Sequence, residues 1–266
     1  MINPIIFSIG SFHLFWYSIF LFFAVMAVIY GFWKRAKYEG YFNDTIFDIA
    51  FVGLFGSLIG GRLVEVVIRY SYFSRELLSP ILFTTYPGFS YFGLILGGFS
   101  SIYFFCKAAK IRILPVFDLI AVDLSLGLVL VFIGHFINGS FFGETTKLPW
   151  GINNFGLVDK RHPTQLIAVF GFLLLTFAMF RFAKRKHFDG FLATFWLTVT
   201  SFIFLLVDPL RADSVYLRGV SVRFVFALIL LLSGGFGYYN LSKKTPLEDL
   251  RKLFVLLKNR KLHKTL

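Results

Sequence analysis

The chain has little of what disulfide-stapled, metal-binding or soluble catalytic proteins depend on. It contains one cysteine, Cys106, and only 14 acidic residues, and charged residues make up 15% of its 266 residues. One thiol cannot form an internal disulfide or a cysteine-based metal cluster. The five histidines lack metal-ligand spacing, and there is no glycine-rich phosphate loop, His-Glu-x-x-His motif or serine-nucleophile elbow. We therefore expect no bound metal and no cofactor.

Apolar residues dominate what is present. Hydrophobic residues make up 57% of the chain and 38 residues are phenylalanine, more than a soluble domain of this length can bury. Backbone groups in lipid must hydrogen-bond within their own segment, so apolar runs of roughly 20 residues predict spanning helices. We predict an all-α polytopic membrane protein with about seven transmembrane helices. The apolar stretches cover residues 12–33, 46–68, 91–106, 114–137, 164–182, 190–207 and 219–240.

Basic residues are distributed unevenly between the connections. Most of the 27 lysines and arginines fall in residues 34–37, 107–112, 181–186 and the segment after 240. By the positive-inside rule these segments are cytoplasmic, which places the N-terminus outside and the C-terminus in the cytoplasm. The formal net charge of +13 is then a topology signal, and we expect no nucleic-acid partner. The first stretch has no small-residue cleavage site, so we expect a retained helix.

The C-terminal segment differs in composition from the rest. We divide the chain into a transmembrane domain, residues 1–241, and a basic amphipathic cytoplasmic tail, residues 242–266. Thr245-Pro-Leu-Glu248 has the pattern of a helix capping box, and leucines then recur at helical spacing between lysines and arginines. A helix of this kind can lie on the anionic inner leaflet or dock on a partner protein, and the sequence leaves both open.

Two arginines lie in or beside apolar stretches, where a charge is energetically unfavourable. Arg62 lies inside the second apolar stretch and Arg211 lies just after the sixth. A charge at membrane depth costs roughly 3 kcal/mol or more, so it normally has a partner and a purpose. A pair of guanidiniums near the membrane favours an anionic ligand such as a lipid phosphate. The structural alternatives are that Arg62 pairs with Glu65 and that Arg211 caps a helix end beside Asp208 and Asp213.

Seven short motifs, in order, carry a resemblance to a known family. They are Pro4-Ile-Ile-Phe-Ser-Ile-Gly10 with Trp16-Tyr17; Gly60-Gly-Arg62; Gly88-Phe-Ser90 with Gly93 to Gly98; Asp118 with Gly134-His-Phe-Ile-Asn-Gly139 and Gly143; Leu148-Pro-Trp-Gly151; Arg161-His-Pro-Thr-Gln-Leu166; and Leu210-Arg-Ala-Asp213. Each motif alone is weak, but together they cover nearly the whole chain. The chain resembles the prolipoprotein diacylglyceryl transferases, membrane enzymes of bacteria.

The resemblance implies an activity and a set of site residues. The family moves diacylglyceryl from phosphatidylglycerol to the lipobox cysteine of a prolipoprotein signal peptide, at the outer half of the bacterial plasma (inner) membrane. Phosphatidylglycerol, the precursor peptide and membrane lipid are therefore the expected partners. We assign catalytic roles to Arg211, His135 and Asn138. We assign substrate binding to Arg62, Tyr17, Gly139, Asp208 and His162.

Purely structural explanations for several of these residues also stay open. Asn138 and Gly139 are also typical of a turn, and His162 before Pro163 also fits the start of the fifth span. Asp118 is expected at the inner interface, and Asp123 in a polar contact between helices. Tyr17 is also typical of an aromatic at the membrane surface.

The chain also departs from the family pattern. Phe92 stands where the family has a histidine, and Phe132 stands where the family signature has an arginine. His135, one helical turn from Phe132, is a hypothetical replacement as base or cation. Two other functions stay open: a catalytically inactive relative that binds anionic lipid or a lipoprotein precursor, and a transporter of ions or small molecules. The absence of an evident internal repeat disfavours the transporter.

Overall fold

Helices account for most of the chain. The computed structural model describes residues 4–9, 12–74, 81–82, 86, 88–153, 158–212, 216–217 and 220–243. Its helices are α1 (Trp16–Tyr38), α2 (Asn43–Ile68), α3 (Tyr70–Phe73), α4 (Tyr91–Ala108), α5 (Ile113–Asn138), α6 (Thr164–Ala183), α7 (Phe191–Val207) and α8 (Val222–Ser242). Within these ranges, seven helices are long and apolar enough to cross a membrane. The predicted polytopic all-α architecture is confirmed.

Short antiparallel ribbons lie before α1 and in two connections between helices. They are β1 (Ile5–Ile9) with β2 (Phe12–Phe15), β3 (Ile152–Asn153) with β4 (Lys160–Arg161), and β5 (Tyr216–Leu217) with β6 (Val220–Ser221). The first ribbon explains why α1 begins at Trp16, although the apolar stretch begins at residue 12. Hydropathy cannot separate a strand from a helix in a short apolar run, and the β1–β2 pairing takes residues 12–15.

Helix α5 is the central helix of the bundle. In its most apolar 18-residue window 61% of the residues are buried, compared with 11% for α1. It packs mainly against α1, α6 and α7. The outer helices turn large aromatic side chains outward, as Phe22, Phe51 and Phe177 do. An apolar exterior of this kind suits a lipid environment, and the chain is a multi-pass membrane protein.

Helices α2 and α4 pack along a seam of glycines. A Cβ atom on Gly97 would lie 2.2 Å from the carbonyl oxygen of Gly56, and one on Gly60 would lie 2.6 Å from the carbonyl oxygen of Gly93. The two backbones are therefore in direct contact, which only small residues allow. This close packing fixes where α4 begins relative to α2.

Two buried aspartates of α5 connect it to other helices. Asp118 accepts hydrogen bonds from the backbone amides of Gly190 (2.7 Å) and Ala193 (2.8 Å), and so caps the N-terminus of α7. Asp123 binds Arg35 of α1 through two hydrogen bonds of 3.0 and 3.1 Å. The predicted contact of Asp123 between helices is confirmed, and both carboxylates have structural partners.

Because consecutive spans alternate in direction, the connections between them lie at the two opposite ends of the bundle. The basic segments at the C-termini of α1, α4, α6 and α8 share one end. The start of α1, the end of α2, the start of α4 and the end of α5 share the other end. Residues 244–266, which include most of the predicted amphipathic tail, lie outside the described residues. The division into two domains and the membrane orientation remain predictions.

Candidate active site

A polar cavity of about 500 Å³ opens at the end of the bundle opposite the basic segments. Its walls come from the start of α1, the end of α2, the start of α4, the end of α5, the connection after α7 and the start of α8. Three arginines and two carboxylates line it, so positive charge is in excess among these side chains. The charged lining residues are Glu65, Arg69, Asp208, Arg211 and Arg223.

The connection after α7 positions Arg211. Residues Asp208–Leu210 form a single 3-10 turn that contains Pro209, which has no amide hydrogen to continue the helix. The backbone of Arg211 then pairs with that of Gly143, and the carbonyl of Leu210 accepts the amide of Glu144 at 2.8 Å. These bonds fix the backbone of Arg211 against the loop that follows α5.

The Arg211 side chain is held inside the protein. The residue is 5% exposed, and its guanidinium carbon lies 3.7 Å from the centre of the Phe141 ring. Its Nη1 atom lies 3.9 Å from Oδ1 of Asp208. The other carboxylate oxygen of Asp208 accepts a 2.6 Å hydrogen bond from the Ser221 hydroxyl. Asp208 thus orients Arg211, and the guanidinium faces the cavity with an aromatic ring on one side.

Arg62 supports the cavity wall without lining the cavity itself. Its Nη1 atom donates to the carbonyl of Gly88 at 3.0 Å, and its guanidinium carbon lies 4.7 Å from the centre of the Phe73 ring. Gly88 itself lines the cavity, whereas Arg62 does not. On the same helix Glu65 forms an ion pair with Arg69 at 3.0 Å. The geometry therefore gives Arg62 a positioning role for the segment that leads into α4.

Three polar side chains join α4 to the end of α5. The Tyr91 hydroxyl is hydrogen-bonded to Nε2 of His135, and Nδ1 of His135 lies 2.8 Å from the Ser140 hydroxyl. The Tyr17 ring packs beside the imidazole with ring centres 4.5 Å apart. All four side chains line the cavity. The histidine that the sequence singled out is therefore at the site, with a tyrosine partner that the sequence did not predict.

Asn138 brings an incompletely satisfied amide to the same wall. Its Nδ2 donates to Ser140 at 3.4 Å, while its buried Oδ1 has no hydrogen-bond partner within the described part of the chain. A buried polar atom without a partner is costly, and at a cavity wall it suits a ligand donor. Gly139 ends α5 in the left-handed conformation, φ +69°, which turns the chain back toward the cavity.

His162 contacts the loop that follows α5. Its Nδ1 accepts a 3.3 Å hydrogen bond from the indole of Trp150, and its amide donates to the carbonyl of Glu144. A Cβ atom on Gly143 would lie 2.5 Å from the His162 carbonyl. The contacts of His162 therefore fix the loop that carries Gly143. Neither His162 nor Gly139 is among the residues that line the polar cavity.

An apolar groove of about 380 Å³ adjoins the polar cavity. It runs between α1, α2, α4 and α5, and aliphatic and aromatic side chains make up nearly all of its lining. Tyr17, Phe89, Tyr91, Leu94 and Phe204 line both spaces, so the groove leads into the cavity. Such a shape can accommodate a molecule with an apolar tail and an anionic head.

The comparisons with known proteins agree with this architecture. A model of the family described as prolipoprotein diacylglyceryl transferase matches residues 4–239. The chain belongs to the prolipoprotein diacylglyceryl transferase family. The phosphatidylglycerol–prolipoprotein diacylglyceryl transferase of Finegoldia magna is 28% identical over 236 residues, which cover 87% of this chain and 93% of that protein. The enzyme of the same name from Rickettsia canadensis is 35% identical over 195 residues, covering 70% of this chain and 73% of that protein.

Phe92 and Phe132, where the resemblance implies a histidine and an arginine, both pack against other aromatic rings. Phe132 is fully buried and stacks on Phe172, with ring centres 5.3 Å apart. Phe92 packs between Phe204 and Phe226, at 5.6 and 5.7 Å. Phe92 lines the polar cavity, whereas Phe132 lies in the hydrophobic core beside it.

Arg69 and Arg223 bring charge to the cavity that the sequence did not reveal as part of the site. Arg69 follows the end of α2, and Arg223 lies in the first turn of α8. In the sequence, Arg69 and Arg223 show only that a basic residue lies at the same end of a span as Arg211. That signal does not separate a side chain that faces a cavity from one that faces the membrane surface.

Proposed function

We propose that this protein transfers a diacylglyceryl group from phosphatidylglycerol to the cysteine thiol of a prolipoprotein. The single observation that carries the proposal is the junction of an apolar groove with an arginine-lined cavity, in a chain of this family. The acyl chains lie in the groove and the phosphate lies in the cavity near Arg211. In this proposal the protein lies in the bacterial inner membrane, with the cavity on the outer side.

The transfer makes one bond and breaks one. The cysteine sulfur attacks the glyceryl carbon that carries the phosphate, the carbon–oxygen bond breaks, and glycerol phosphate leaves. Charge develops on the departing phosphate oxygen, and Arg211 is the group proposed to stabilise it. His135 is the proposed proton acceptor, and the Asn138 amide is proposed to position the reacting groups. Tyr17 and Asp208 shape the cavity, while Arg62, Gly139 and His162 act by fixing its walls.

A mass measurement tests the proposal. The purified protein in phosphatidylglycerol vesicles is incubated with a peptide containing a lipobox cysteine, and the peptide mass is followed. We expect a gain of one diacylglyceryl group, and no gain for a peptide in which serine replaces the cysteine. The Finegoldia magna relative provides the positive control. Lipid binding without a mass gain would instead indicate an inactive relative.

Arg223 is predicted to contribute to recognition of the lipid head group. It lines the cavity together with Arg211, and a hydrogen bond to a charged group typically contributes about 1.5–3 kcal/mol. We expect Arg223→Gln to raise the KM for phosphatidylglycerol about tenfold or more, while Arg223→Lys retains most of the affinity. Initial rates at varied mole fractions of phosphatidylglycerol in neutral carrier lipid provide the measurement.

The matched control is Arg185→Gln, because Arg185 is exposed at the opposite end of the bundle. This variant should leave the KM unchanged. A KM for Arg223→Gln equal to that of the wild-type protein would remove Arg223 from the lipid site.

A further inference from the structure

The boundary between the groove and the cavity carries a chain of hydrogen-bonded side chains. The Tyr91 hydroxyl is bonded to Nε2 of His135, and Nδ1 of His135 lies 2.8 Å from the Ser140 hydroxyl. Ser140 is held in turn by Asn138, whose Nδ2 lies 3.4 Å from its oxygen. With the imidazole proton on Nδ1 and directed to Ser140, Nε2 is left to accept the proton of Tyr91.

Aromatic packing fixes Tyr91 in this chain. Its ring stacks on Phe132, with ring centres 5.9 Å apart and an angle of 16° between the planes. Phe141 meets it edge-on at 6.0 Å. Phe132 therefore forms one wall of the Tyr91 site. Packing on two sides therefore restrains the Tyr91 ring. A group that transfers a proton must be held in position in this way.

The position of Tyr91 suits a reaction between a lipid and a thiol. Tyr91 lines both the apolar groove and the polar cavity, and Arg211 lines the cavity. A lipid with its tails in the groove and its phosphate in the cavity would have its glyceryl carbons at the level of Tyr91. The attacking thiol must reach one of those carbons, so it must also come close to Tyr91.

We propose that Tyr91 and His135 form a relay that takes the proton of the substrate cysteine, an inference that rests on the proposed function. The thiol proton passes to the Tyr91 oxygen as the Tyr91 proton passes to Nε2 of His135. The thiolate sulfur then bonds to the glyceryl carbon, and the carbon–oxygen bond to phosphate breaks. The imidazolium returns its proton through Tyr91 to the departing phosphate oxygen, which restores the starting state. Ser140 is a positioning residue that orients the imidazole.

Other titratable and charged groups surround the relay and share its electrostatic environment. They come from α1, the end of α2, the connection after α7 and the start of α8. These groups are Tyr17, Glu65, Arg69, Asp208, Arg211 and Arg223. A pH profile is therefore interpreted by comparing variants of the relay with the wild-type protein, since the surrounding charges are the same in both.

The pH dependence of turnover tests the relay. We expect Tyr91→Phe and His135→Gln each to lower kcat at pH 7 about a hundredfold, a usual loss for a removed general base, with little change in either KM. The double variant should be no slower than the worse single variant, since the two residues act as one unit. Ser140→Ala should lower kcat less than either.

Ionising the thiol beforehand distinguishes a proton acceptor from a structural contact. A cysteine thiol has an ordinary pKa of about 8.5, so at pH 9 much of the peptide is already thiolate. The deficit of both variants should shrink at least tenfold between pH 7 and pH 9. Recovery of this kind also shows that the variants are folded. A deficit independent of pH, or no deficit, would overturn the relay.

Two exposed residues outside the cavity provide matched controls. Tyr103→Phe alters the same helix as Tyr91, and His187→Gln alters a histidine at the opposite end of the bundle. Both should keep the wild-type pH profile. A wild-type protein without transfer at any pH would refute the proposed function and the relay together. Transfer that Tyr91→Phe and His135→Gln leave intact would refute the relay alone.

Discussion

Replacing Arg211 by glutamine should lower the turnover of diacylglyceryl transfer about a hundred- to a thousandfold. Removing one preorganised donor to a developing negative charge typically has an effect of this size. The Arg211 guanidinium is buried. Its Nη1 atom lies 3.9 Å from Oδ1 of Asp208, and its carbon lies 3.7 Å from the centre of the Phe141 ring. The position of the guanidinium is therefore already set before the substrate binds. Peptide mass gain per unit time at saturating phosphatidylglycerol measures the effect.

Lysine at the same position distinguishes charge from shape. Arg211→Lys keeps the positive charge but loses the planar fork that can bind two phosphate oxygens, so we expect a loss intermediate between wild type and Arg211→Gln. The control is Arg112→Gln, because the Arg112 side chain is 81% exposed in its ion pair with Asp189. Full turnover by Arg211→Gln would refute the assignment of Arg211 to the departing phosphate.

Leucine in place of Gly97 should separate α2 from α4 and destabilise the bundle by about 3 kcal/mol or more. The atoms that a Cβ on Gly97 would meet belong to the backbone, with the Gly56 oxygen at 2.2 Å and the Gly60 Cα at 2.8 Å. Backbone atoms inside a helix cannot move aside singly, so the whole helix must shift. Denaturant titration of the purified protein in detergent, followed by circular dichroism, measures the loss of stability.

The chain offers a glycine in a spanning helix as the control. A Cβ atom on Gly235 of α8 would meet no heavy atom within 4 Å among the described residues, so Gly235→Leu should keep the wild-type midpoint or raise it slightly. Activity should fall along with stability in Gly97→Leu, because the Ser90 amide donates to the Gly61 carbonyl at the cavity end of the same seam. Equal midpoints for the two variants would contradict the close-packing explanation.

The structure divides the predicted site residues into a group that lines the cavity and a group that does not. Tyr17, His135, Asn138, Asp208 and Arg211 line one cavity because each lies near the end of a span that faces the same side. That clustering could be foreseen, since consecutive spans must alternate in direction. The roles of the second group could not be foreseen, because sequence position does not say which way a side chain points around its helix. Arg62 and His162 turn toward neighbouring loops and hold those loops in place.

The sequence by itself determined the number of spans, the family and the end of the bundle at which the polar residues collect. Those properties depend on hydropathy, motif order and chain direction, which are local or additive along the chain. Only the tertiary structure decided that Tyr91 pairs with His135 and that Arg69 and Arg223 line the same cavity as Arg211. It also decided that Phe132 stacks on Tyr91. Those contacts depend on the rotation and spacing of helices far apart in sequence, and side-chain packing between them sets both.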